Sequence, residues 1–135
     1  MPIQMLEFIS RAFVRSHPND LFVFGDNLAR AGFGGQAREM REEPNAIGLP
    51  TKRLPSMRPE AFLSDSDLPE IMRVNAVDCL RLMDHLKHGG TIFLSSHGIG
   101  TGRARLAEKA PKIFIYYDDF FETLRKIAKL PSLPS

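Results

Sequence analysis

The sequence predicts an α/β fold of three layers, with helices on both faces of a mostly parallel or mixed central sheet. Two observations carry this. The apolar runs LFVFG (21–25), NAIGLPT (45–51) and TIFLSS (91–96) read as strands, and continuous runs of this kind suit strands covered on both faces. Helical patterns follow each of them, and an alternation of strand and helix is what a layered, largely parallel sheet requires.

The elements follow in order. SRAFVRS (10–16) opens on a capping Ser10 and stops before Pro18, so it reads as a short helix or turn. His17-Pro18-Asn19-Asp20 is turn chemistry. After the strand 21–25 comes a glycine-rich loop, and GGQAREMREE then reads as a helix stopped by Pro44. The strand 45–51 is expected to end near Pro50, ahead of a long connection, KRLPSMRPEAFLSDSDLPE. Connections of this length are usually functional or mobile. Asp67 and Glu70 suggest a capping box, after which Ile71, Val74, Val77, Cys79 or Leu80, Leu82 and Leu86 recur at helical spacing up to Gly89-Gly90. The strand 91–96 leads to a second glycine-rich loop, HGIGTGR (97–103). In the last segment Ile113, Tyr117, Phe120, Leu124 and Ile127 recur every three or four residues behind Pro111, which favours a helix over a strand. Residues 1–130 form one expected domain, and the Pro/Ser-rich tail 131–135 is expected to fray.

Composition narrows the class. With 135 residues, 43% of them apolar, the chain can enclose one core. A net charge of +2, from 18 basic and 16 acidic side chains, is too even to argue for nucleic-acid binding by bulk charge. Cys79 is the single cysteine, so neither an internal disulfide nor a Cys-rich zinc site is expected, and a cytoplasmic setting fits. The N-terminus lacks the pattern of a signal peptide, and no run has the roughly 20 apolar residues of a membrane span. Asp118-Asp119 resembles a metal pair in isolation, but its helix points away from the strand ends, so no metal and no cofactor is expected.

Chemistry is expected at the two glycine loops. Both follow an apolar strand, and in open α/β sheets ligands bind beyond the carboxyl ends of the strands. Glycines let backbone N–H groups approach an anion closely. GFGGQA lacks the Gly-Lys-Ser/Thr ending of a P-loop, and GIGTGR has no βαβ unit behind it, so neither is a standard nucleotide motif. On glycine content alone, a plain tight turn serves equally well.

FGDNLARAGFGGQA, NAIGLPTK and LSSHGIGTGRARL together resemble the macrodomain family, which binds ADP-ribose and related nucleotides. The resemblance implies a ligand crevice between the loops. Asn27 would touch the distal ribose, with Gly25, Asp26, Gly34, Gly35 and Gln36 around it. Ser96, Gly98, Ile99, Gly100, Thr101 and Gly102 would surround the pyrophosphate. The family's earlier strand, whose end supplies an aspartate to adenine, has no obvious equivalent in the short N-terminal segment. Asp26 is the nearest acidic candidate, although its position does not match.

One branch of that family, the terminal ADP-ribose glycohydrolases, uses a lysine after the corresponding strand, aided by an aspartate in the second loop. LPTK resembles the lysine segment, which makes Lys52 the candidate nucleophile or phosphate contact. Where the aspartate would fall the chain has Ala104, so the acid/base partner is missing unless His97, Asp26 or another residue replaces it. Arg30, Arg103 and Arg105 are the better anion candidates among the basic residues, while Arg38 and Arg41 read as helix-surface residues.

The expected partner is therefore ADP-ribose or a related nucleotide, free or on an ADP-ribosylated macromolecule, with hydrolysis of an ADP-ribosyl linkage left open. Two alternatives stand beside it. One is a non-enzymatic module binding nucleic acid or protein through the same basic edge. The other is a protein that sequesters a nucleotide signal without turnover.

Overall fold

The computed structural model describes residues 2–99 and 104–134. Four strands, β1 (Ile3–Leu6), β2 (Leu21–Asn27), β3 (Ala46–Lys52) and β4 (Ile92–Ser95), form one sheet. Their order is β1-β4-β2-β3 and every pairing is parallel. Among the described residues five α-helices accompany them: α1 (Arg11–Ser16), α2 (Ala37–Met40), α3 (Leu68–Lys87), α4 (Leu106–Lys109) and α5 (Pro111–Ala128).

The alternation of side chains along each strand makes the three layers. Leu21 and Val23 of β2 and Ile92 and Leu94 of β4 point to one face, where they pack with Ile71, Leu82 and Leu86 of α3 and Ile113, Tyr117 and Leu124 of α5. Phe22, Phe24 and Phe93 point to the other, where they meet Val14 of α1 and Ala37 and Met40 of α2. The second face is aromatic: the Phe22 and Phe93 rings stack with centroids 4.8 Å apart, and Phe13 meets each of them edge-on.

Several expectations need correcting. The N-terminal segment is long enough for a strand: β1 pairs with β4 from Ile3↔Ile92 to Leu6↔Ser95. β3 runs through Pro50 to Lys52. It lies at the sheet edge, where a residue without an N–H is tolerated, and a register shift opposite Asp26/Asn27 absorbs the irregularity. The second helix is only one turn, because Arg41 leaves helical geometry at ψ 136° and Glu42 follows at φ 73°.

The capping box is Ser64 with Asp67, on the 3-10 turn Asp65–Asp67 that leads into α3, not Asp67 with Glu70, and the latter two pair with Arg53 instead. Val74, Val77 and Leu80 face water, Val77 being 77% exposed, while Asn75 takes a core position between Ile71 and Cys79. In the tail, the Leu133 N–H donates to Lys87 O at 2.7 Å.

Candidate functional site

The topology places a crevice between β2 and β4. The chain leaving β2 turns onto the aromatic face and builds α2. The chain leaving β4, its neighbour in the sheet, turns onto the opposite face and builds α4 and α5. Adjacent strands whose connections diverge in this way form a switch point, where open α/β sheets hold their ligands. A cavity of about 790 Å³ lies there. Its lining takes Val23–Asn27 from β2, Ala31–Arg38 from the first glycine loop and α2, and Thr51 and Lys52 from the end of β3. Arg41, then Pro55, Ser56 and Met57, and Ser95, His97, Gly98, Ile99 and Ala104 complete it among the described residues.

The floor is ionic and sealed. Asp26 is buried, and its carboxylate accepts from Arg41 Nη2 at 2.5 Å, Arg30 Nη1 at 3.1 Å and the Asn27 N–H at 2.8 Å. The Arg41 side chain is only 10% exposed. Its guanidinium also donates to Gly32 O at 2.7 Å and Ala31 O at 3.2 Å, and so ties the first loop to β2. Arg30 adds Gly48 O at 2.6 Å. A Cβ on Gly48 would stand 2.5 Å from Asp26 Oδ2, so this strand glycine makes room for the carboxylate.

The loop itself is pinned at both ends. Asn27 brackets Ala31, donating from Nδ2 to its carbonyl at 2.8 Å and accepting its N–H at 3.3 Å. Gln36 does the same for Ile9, accepting its N–H at 3.2 Å and donating to its carbonyl at 3.0 Å. Gly32, at φ +90°, lies so close to Pro55 that a Cβ would be 2.9 Å from the proline ring. That contact brings the 53–58 segment to the cavity wall.

The predicted residues therefore divide. Gly25, Asn27, Gly34, Gly35, Gln36, Lys52, His97, Gly98 and Ile99 all line the cavity. Asp26 lines it too, but its carboxylate is occupied by the two arginines and has structural work. Arg30 is outside the lining and serves Asp26 and Gly48. Ser96 is outside it as well, with its N–H donating to Leu6 O at 2.8 Å. Gly100, Thr101, Gly102 and Arg103 lie outside the described residues. Arg38 and Arg41, read from sequence as helix-surface residues, both line the cavity. Arg41 is placed there because α2 ends after one turn.

Lys52 donates from Nζ to Ser56 O, its ammonium lies 4.9 Å from the Phe62 ring centroid, and Met57 Sδ is 3.8 Å away. His97 is exposed, with its N–H donating to Ser95 Oγ at 3.2 Å. Ala104 lines the cavity where the resemblance would put an aspartate. Among the described residues Asp26 is the only acidic lining group, and the guanidinium of Arg38 makes no hydrogen bond or ion pair there. The electrostatic balance of the lining is thus cationic.

A model of a family of unknown function (DUF7831) matches residues 4–120, and the chain belongs to that family. No curated protein and no solved structure matches it. Among the described residues no helix is long and apolar enough to cross a membrane.

Proposed function

We propose that this member of the family binds ADP-ribose or a related nucleotide in the crevice between β2 and β4. The observation that carries the reading is the cavity's charge. Its one acidic lining group among the described residues, Asp26, is buried and neutralised by Arg41 and Arg30, which leaves the guanidinium of Arg38, uncommitted among the described residues, to meet an anion. The volume of about 790 Å³ falls within the range of roughly 300–1,000 Å³ usual for small-molecule sites. Gly34 and Gly35 add open backbone, since a Cβ on either would meet nothing within 4 Å.

Binding, rather than turnover, is the better-supported half of this reading. Lys52 has a carbonyl and an aromatic ring as partners, which suit a charged ammonium acting as a phosphate contact. Ala104, on the same lining, offers no acid or base.

Thermal-shift screening with ADP-ribose, NAD, ATP, cyclic nucleotides and RNA tests the reading, because a ligand that binds the native state raises its stability. Stabilisation by ADP-ribose or a close relative is expected. Binding of RNA alone, falling steeply with salt, would replace this reading with a nucleic-acid module.

A further inference from the structure

Two large apolar side chains of the cavity lining are exposed: Phe33 at 58% and Met57 at 50%. Phe33 has no part in either core cluster, yet the backbone that leads into it is anchored. The backbone on its N-terminal side is held by Asn27 and Arg41 at Ala31 and by Arg41 and Pro55 at Gly32. The Arg41 guanidinium lies over the Phe33 ring, 6.0 Å from its centroid. A buried ion pair therefore presents an aromatic ring to a cationic cavity. Arg38, five positions along the same segment, brings a guanidinium that is uncommitted among the described residues.

We propose that Phe33 is the stacking platform for a planar heteroaromatic ring of the ligand, with Met57 as a second apolar contact. This rests on the nucleotide reading above and extends it to the base, which it places at the loop where the resemblance put the distal ribose. An exposed aromatic ring and an uncommitted guanidinium on the lining of one pocket match a molecule carrying both a base and a phosphate. Bases stack on aromatic side chains with little dependence on base identity, because each presents a π-face. The pocket thus favours nucleotides over sugar phosphates, while Phe33 by itself discriminates little among bases.

The chain has no tryptophan, so Phe33→Trp introduces a single tryptophan, which can be excited selectively over Tyr116 and Tyr117. ADP-ribose and AMP should quench its fluorescence on binding, whereas ribose 5-phosphate should not. Phe33→Ala should weaken ADP-ribose by about tenfold or more, in line with the loss of one stacked base, and leave ribose 5-phosphate unchanged. Phe33→Leu, which keeps apolar bulk without a π-face, should fall between. If wild type binds ADP-ribose but Phe33→Ala binds it equally well and no quenching occurs, the stacking role is overturned and the nucleotide reading survives. If no nucleotide binds wild type at all, both are overturned.

Discussion

Arg41 Nη2 stands 2.5 Å from Asp26 Oδ1, and the two side chains are only 10% and 3% exposed. A buried pair broken on one side leaves a charge without compensation, at a cost of roughly 3–5 kcal/mol. Arg30 still touches Asp26, so Arg41→Ala should lose about 3 kcal/mol, the lower end of that range. Urea unfolding measures it. Adding Asp26→Asn should recover part of the loss, because the stranded carboxylate is gone.

Gly48→Ala should destabilise by about 1–3 kcal/mol, the usual cost of forcing atoms into a filled space. The new Cβ would meet Asp26 Oδ2 at 2.5 Å and Phe24 Cζ at 2.9 Å, and neither atom belongs to a flexible, solvent-facing tip. Thermal unfolding of the variant reads the loss.

Tyr117 joins three elements: its hydroxyl donates to Pro50 O of β3 and accepts from Asn75 Nδ2 of α3 at 2.9 Å. Burial pushes its phenol well above the ordinary range, so it remains a donor at any working pH. Tyr117→Phe strands two buried polar groups and should cost about 1–3 kcal/mol in denaturant unfolding.

Glu43 gives a dependence on acid. Hydrogen bonds from Arg15 hold its carboxyl below the usual value of 4.5, against the opposing effect of burial, and Arg11 lowers it further. A depressed folded-state pKa stabilises the fold above the unfolded value and is lost as pH falls through the folded one. Wild type should therefore lose stability faster than Glu43→Gln as pH drops from about 6 to about 3. Arg15 is 66% exposed, so added salt should shrink the difference.

The strand cores and the boundaries of α3 and α5 were legible because continuous apolar runs, Pro111 and the Gly89-Gly90 stop act locally. β1 was not, since four residues packed at an open edge carry too little apolar signal. The outer face of α3 misled for a related reason. Val74, Val77 and Leu80 fit helical spacing, but burial depends on which side meets the sheet, and Asn75 goes inside to reach Tyr117.

At the site, the glycine loops and Lys52 announced themselves as motifs. The Asp26–Arg41 pair did not, because its members lie 15 positions apart and meet only when α2 ends early. Gly48, a glycine inside a predicted strand, was the one local sign that something approaches β3 closely.

Calorimetric titration of ADP-ribose into wild type, Gly34→Glu and Arg38→Ala tests nucleotide binding most directly. Gly34 suits a blocking substitution because its backbone does not need a positive φ and nothing lies within 4 Å of a Cβ there, so the fold should survive a new carboxylate in the cavity. Saturable heat with wild type, none with Gly34→Glu, and affinity about tenfold weaker or more with Arg38→Ala, as for a lost charge-assisted hydrogen bond, is the predicted result. The same heat from wild type and Gly34→Glu, or none from wild type, would contradict a nucleotide site between β2 and β4.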